Sequence, residues 1–169
     1  MESINRFLLN KLSKIKLVIT DVDGVLTDGG LYYSSEGLVM KKFNVKDGMG
    51  VRLLRNSGIL TGIITTDGDS NQLINKRVER LKLDFLYTGV WDKESKLKEA
   101  CIKYNLNLEN VAFIGDDVND LSIMKEVGFS TAPSDAVVEV LDVVDLVLQK
   151  KGGEGVFREL ADLIIKAQM

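Results

Sequence analysis

The chain has 169 residues, 45% of them hydrophobic and 28% charged, with a net charge of −3; this suits one ordinary globular core and excludes the basic stripe that nucleic-acid binding needs. There is no histidine and a single cysteine, Cys101, which excludes Ser-His-Asp and Cys-His catalysis, His-ligated zinc and a disulfide framework, and fits a reducing cytoplasm. No apolar run approaches the roughly 20 residues that cross a bilayer, so a membrane partner is not expected.

Residues 1–16 are a basic amphipathic stretch with Phe7, Leu8, Leu9 and Leu12. They lack the apolar region and cleavage site of a signal peptide and read as a short helix packed on the domain. Lys16–Thr20 is a β-branched apolar run, a buried strand. "GLYYSSEGLVMKKFNV" holds two alternating runs around Ser34–Gly37, a β-hairpin. "DGMGVRLLRNSG" is a helix closed by Gly58, and "ILTGIITT" the next buried strand. "SNQLINKRVERLKL" is a helix with Ser70 or Asn71 as cap and a stripe of Leu73, Val78 and Leu81. A strand in "DFLYTGV" precedes a helix in "KESKLKEACIKYNL", which carries i, i+4 charge pairs. The rest alternates again: strand "NVAFIGD", helix "VNDLSIMKEVG", strand "FSTAPS", helix "AVVEVLDVV", strand "DLVLQ" and the closing helix "GVFRELADLIIKAQM". Strands alternating with helices predict an α/β domain, a parallel sheet covered on both faces, over residues 1–169 as one unit. Ligands then bind beyond the carboxyl ends of the strands.

Polar groups collect at those ends. The first strand runs into Asp21-Val22-Asp23, the next into Thr65-Thr66-Asp67, and "VAFIG" into Asp116-Asp117-Val118-Asn119-Asp120, while Lys93 follows "DFLYTGV". Clustered carboxylates without histidine suit a hard cation bound through oxygen, Mg²⁺. Side chains at i and i+2 of an extended strand point the same way. One of Asp21 and Asp23 can then attack phosphorus while the other handles a proton. Mg²⁺ and Lys93 would hold the phosphoryl oxygens, with a hydroxyl hydrogen bond from Thr65. A calcium loop is the weaker reading of "DVDGVLTDGG", because Gly24 stands fourth and Tyr32 twelfth, where such a loop has glycine sixth and an acid twelfth. Aspartates after strands are also common helix caps, which alone explains Asp116-Asp117 equally well. The ordered set Asp21, Asp23, Thr65, Lys93 and Asp116 is not explained by caps.

That set resembles the haloacid dehalogenase superfamily of phosphotransferases, whose motifs match Asp21-Val22-Asp23-Gly24-Val25, Thr65, Lys93 and Gly115-Asp116-Asp117-Val118-Asn119-Asp120. "DVDGVLTDG", "FNVKDG", "FIGDDVND" and "GGEGVFRE" resemble more narrowly its capless branch, which hydrolyses octulosonate 8-phosphates and nonulosonate 9-phosphates. The resemblance implies a three-layer Rossmann-like sheet with an inserted β-hairpin and no cap domain. It implies Asp21 as nucleophile and Asp23 as acid and base. It gives Mg²⁺ to Asp21, the Asp23 carbonyl and Asp116, and the phosphoryl group to Thr65 and Lys93. Asp120 would orient Lys93. Substrate contacts fall on Asn44, Val45, Lys46, Asp47, Gly48, Arg52, Arg77 and Asn119, and Arg158 in the glycine-rich segment would support a site, its own or a neighbour's. A small acidic sugar phosphate is the implied substrate, and a homotetramer, with neighbouring hairpins as lid, the implied assembly. One departure stands out. Octulosonate phosphatases have Gly then Arg after the motif hydroxyl and the nonulosonate type has Gly then Glu; this chain has Thr66 then Asp67, with two extra residues near Gly68-Asp69. An aspartate cannot pair with a substrate carboxylate but can accept from sugar hydroxyls. Asp67 therefore joins the expected substrate-binding residues and points toward a nine-carbon ulosonate or a broader range.

The rival from another class is a phospho-receiver signalling module. A receiver carries its phosphorylated aspartate after the third strand of its sheet, where this chain has "YTGVWDK". Only fold-level analogy supports that reading.

Overall fold

The computed structural model describes residues 5–68 and 71–169. Its elements run α1 (Arg6–Leu12), β1 (Leu17–Thr20), β2 (Tyr32–Ser34), β3 (Gly37–Met40), α2 (Val45–Asn56), β4 (Leu60–Ile64), α3 (Asn71–Leu81) and β5 (Phe85–Tyr87). They continue with α4 (Lys93–Tyr104), β6 (Val111–Ile114), α5 (Leu121–Glu126), β7 (Phe129–Ala132), α6 (Val138–Leu141), β8 (Leu146–Val147) and α7 (Val156–Ala167). Every strand and helix expected from the pattern has its counterpart. The expected cap Ser70 and the neighbouring Asp69 lie outside the described residues.

Six strands form one parallel sheet in the order β5-β4-β1-β6-β7-β8, and β2 and β3 form a separate antiparallel pair. In β1 all four residues are buried, as a strand covered on both faces requires. Alternation divides them. Val18 joins a core with residues of α1, α2, α3 and α7, whereas Leu17 and Ile19 join one with α4, α5 and α6. The result is a helix–sheet–helix sandwich. Helices α2 and α7 approach closely at Gly50, where a Cβ would lie 3.0 Å from the Cα of Arg158.

Strand order locates the site. β1 pairs in parallel with β4 on one side and β6 on the other. From β1 the chain runs outward to β4 and β5, then crosses back through α4 to β6 on the other side of β1 and runs outward the opposite way to β8. That reversal opens a crevice beyond the carboxyl end of β1. Asp21, Thr65 and Asp116 all follow the strands that meet at this crevice.

Candidate active site

Asp21 is the first residue past β1. Its amide still donates to the Ile114 carbonyl at 3.0 Å, so its backbone is fixed by the sheet. Its carboxylate is buried: Oδ1 accepts the Val22 amide at 2.7 Å and Oδ2 lies 2.8 Å from Lys93 Nζ. The chain then turns tightly, with the amides of Leu26 and Thr27 both donating to the Val22 carbonyl. Gly24 allows this turn with φ of +76°. The turn also corrects one sequence expectation. The strand stops at Thr20, so pleat alternation does not reach Asp23, and the two carboxylates answer to different cations.

Lys93 opens α4, whose cap is Asp92. Its ammonium has no exposure and sits between Asp21 and Asp120, 2.5 Å from Asp120 Oδ1. Burial alone would lower its pKa; the charges of Asp21 and Asp120 overrule burial and raise it. The second oxygen of Asp120 accepts the Asp116 amide at 3.0 Å. Asp120 therefore fixes both Lys93 and the start of the loop after β6. Burial and the negative charge of Asp21 push the Asp120 carboxyl upward against the pull of Lys93. Asp116 is pushed up to about 8, first by burial and then by Asp21, Asp120 and Asp117.

Oxygens of Asp21, Asp116 and Asp120 lie within 4.8 Å of one another. The donors are all carboxylate, the set a hard divalent cation takes. Space is kept for them: a Cβ on Gly24 would fall 1.9 Å from Asp116 Oδ2. Both oxygens of Asp21 and both of Asp120 already meet a partner, and the Asp116 carboxylate is the one of the three without a hydrogen bond or ion pair among the described residues. The residues present fit a magnesium ion.

Beside this cluster, Thr65 is buried at the end of β4 and its Oγ accepts the Asp67 amide at 3.2 Å. Asp23 Oδ1 accepts from the Thr27 hydroxyl at 3.1 Å, and its Oδ2 is 2.5 Å from Lys41 Nζ. Lys41 also pairs with Asp67. Burial opposes its charge, but the two carboxylates raise its pKa. Asp67 thus meets an ammonium of its own chain, a partner that its reading as a reader of sugar hydroxyls did not foresee. Sequence reasoning passed over Lys41 altogether. The missed signal was charge balance: Asp21, Asp23, Asp67, Asp116 and Asp120 converge on the site, and Lys93 alone cannot offset them.

The residues expected to touch substrate divide in two. Asn44 caps α2 through the Lys46 amide, and its Nδ2 donates to the Gly153 carbonyl at 3.0 Å. Arg77 lies over the Phe43 ring and donates to the Asn44 carbonyl at 2.9 Å, with Gly48 beside it. Val45, Lys46 and Arg52 are exposed on α2, and Asn119 is half-buried in the turn after Asp117. Two others are engaged with the fold. Asp47 is buried, and its Oδ1 accepts the Arg158 amide at 3.0 Å, which ties α2 to α7, while the residue lines the same cavity as Asn44 and Arg77. The Arg158 side chain pairs with Asp162 on its own helix at 2.8 Å, out of its own chain's site. The glycine-rich segment lies against the turn after Asp23: Gly153 donates to the Val25 carbonyl at 2.9 Å, and a Cβ on Gly152 would fall 2.0 Å from the Gly24 oxygen.

A six-stranded parallel sheet with acids at the ends of β1 and β6 and a buried lysine between them defines a class, and residues 69–160 match the model of the haloacid dehalogenase-like hydrolases. The chain belongs to that family. Among its relatives is the 3-deoxy-D-manno-octulosonate 8-phosphate phosphatase KdsC of Haemophilus influenzae, 39% identical over 94% of this chain and 87% of that protein. The crystal structure of the phosphatase of that name from Yersinia pestis superposes with a TM-score of 0.94 at 38% identity, covering 98% of this chain and 88% of that one. The Moraxella catarrhalis phosphatase, solved with a magnesium ion, a phosphate ion and a KDO molecule, gives a TM-score of 0.93 at 36% identity over 98% of this chain and 94% of that one.

Proposed function

We propose that this chain is a magnesium-dependent phosphomonoesterase that releases phosphate from 3-deoxy-D-manno-octulosonate 8-phosphate. The observation that carries the reading is the buried Asp21–Lys93–Asp120 array beside Asp116, in a fold shared over nearly its whole length with phosphatases of that name. Asp21 attacks phosphorus, and the phosphorus–oxygen bond to the sugar breaks as Asp23 delivers a proton to the departing oxygen. The phosphoryl group is then carried by Asp21 as an acyl phosphate. Asp23, now a base, takes a proton from a water molecule that attacks phosphorus, and inorganic phosphate leaves with Asp21 restored. Lys93 and the Thr65 hydroxyl hold the phosphoryl oxygens through both steps. Asp21, Asp116 and the main-chain carbonyl of Asp23 would hold Mg²⁺, which when bound offsets charge on the carboxylates and on the phosphoryl oxygens.

Asn44, Val45, Lys46, Gly48, Arg77 and Asn119 are the chain's candidates for reading the sugar, with Arg52 at the margin. The pairing of Asp67 with Lys41 offsets the charge on which a nine-carbon substrate was argued. Exposed apolar side chains on the hairpin support association through it, and the assembly is read as a homotetramer whose neighbouring hairpins limit water at the site. The enzyme works in the cytoplasm, with residues 1–169 forming a single domain. The test is phosphate release, with Mg²⁺ present, from octulosonate 8-phosphate against nonulosonate 9-phosphates. Octulosonate 8-phosphate is expected to have the higher kcat/KM; preference for a nonulosonate overturns the substrate assignment.

A further inference from the structure

Asp23 has one task in each half of the proposed reaction, and a proton donor must be aimed to serve both. Its side chain is 37% exposed, open enough to sample several rotamers. Both oxygens are nevertheless held, one by the Thr27 hydroxyl and one by Lys41. Thr27 is itself fixed, being fully buried and accepting the Gly29 amide at 3.2 Å. The segment carrying Lys41 is fixed to the same turn by an antiparallel bridge between Thr27 and Phe43.

Lys41 is unusual for a residue at the end of a surface hairpin. Its neighbour Lys42 points outward to Asp28, as a surface lysine does. Lys41 turns inward with a side chain only 1% exposed. An ammonium placed there needs more than one carboxylate, and Asp67, from the loop after β4, supplies the second. Lys41 therefore joins the turn after β1, the hairpin and the loop after β4 at a single point.

We propose that Lys41 is a positioning residue for the phosphatase reaction: it aims the Asp23 carboxylate, and Asp67 anchors Lys41 for that purpose. This rests on the function proposed above. Lys41 pairs with Asp23 and Asp67 and with none of Asp21, Asp116 and Asp120, so its loss is felt in turnover more than in binding. Misplacing a catalytic carboxylate by about 1 Å costs on the order of a hundredfold in rate.

The experiment measures kcat and KM for octulosonate 8-phosphate with Mg²⁺, and thermal stability, in the wild type, Lys41→Met, Lys41→Arg, Asp67→Asn and the Lys41→Met/Asp67→Asn pair. Lys41→Met is expected to lower kcat by roughly 10- to 100-fold with KM within about threefold, and Lys41→Arg to recover most of the loss. Lys41→Met also takes from Asp67 the ammonium it pairs with, which destabilises the fold. In the Asp67→Asn background that penalty shrinks, so the pair keeps its fold, while the loss of kcat relative to Asp67→Asn stays at about tenfold or more. Three results overturn the proposal: kcat of Lys41→Met within about twofold of wild type, a loss confined to KM, or a kcat loss that disappears together with the stability loss in the Asp67→Asn background. A wild type that hydrolyses no phosphate ester defeats the proposed function, and this inference with it. An active wild type matched by Lys41→Met defeats this inference alone.

Discussion

Asp47 carries a buried carboxylate with one oxygen on the Arg158 amide and the other, Oδ2, without a hydrogen-bond partner among the described residues. Burial raises its pKa from 3.8 to about 6, with the Arg158 amide and the charges of Lys150 and Arg77 opposing the rise. The fold therefore prefers the protonated acid, and the sign of the linkage follows. Below pH 3.8 the group is protonated folded and unfolded alike and contributes nothing. As pH rises toward 6 the unfolded chain ionises first, so stability falls, by about 3 kcal/mol at most once both states are ionised. Asp47→Asn keeps the acceptor for Arg158 and removes the titration. Urea unfolding should show the wild type losing about 2–3 kcal/mol relative to Asp47→Asn between about pH 4 and about pH 7. Asp116 and Asp120 titrate in both proteins and cancel from this difference. A difference that does not change with pH refutes the account of Asp47.

The glycine-rich segment before α7 and the turn after β1 meet at Gly152, where any Cβ would fall 2.0 Å from the Gly24 carbonyl oxygen. Both partners are backbone, so neither can swing aside. Gly152→Ala should cost about 1–3 kcal/mol in urea unfolding and lower kcat as well, because the displaced turn carries Asp23. An alanine variant with wild-type stability and turnover contradicts that packing. At this scale most of the fold was legible. Apolar runs such as "LVIT" and "VAFI", each broken by acids, mark β1 and β6 without ambiguity, and the helices between them force a parallel sheet. Asp21, Lys93 and Asp116 were legible because each closes or follows such a run. The Lys41–Asp67 pair was not, because it spans 26 residues and no periodicity reports an ion pair between two loops. Asp47 and Arg158 show the same limit: their place beside a motif does not report that Asp47 ties α2 to α7 or that Arg158 pairs with Asp162.

The whole molecule leaves the hairpin with its apolar residues Leu31, Tyr32, Tyr33, Val39 and Met40 exposed, Tyr33 by 66%. A separate two-stranded ribbon is marginal on its own and its edges invite pairing. Light scattering is expected to give about four times the chain mass, and Tyr33→Glu with Val39→Glu to dissociate the assembly and lower turnover. A fully active monomer argues against this assembly. The acids of β1 and β6, the lysine after β5 and the turn that Lys41 meets all bear on one proposed chemical step, attack by Asp21 on phosphorus. Its direct measurement is inorganic phosphate released from octulosonate 8-phosphate by the wild type, with and without chelator, and by an Asp21→Asn variant whose circular dichroism matches wild type. An amide is a poor nucleophile and a poor ligand for magnesium. The account predicts steady release by the wild type with Mg²⁺ and none above background in the other two cases. Comparable release by Asp21→Asn, or by the wild type stripped of metal, contradicts it.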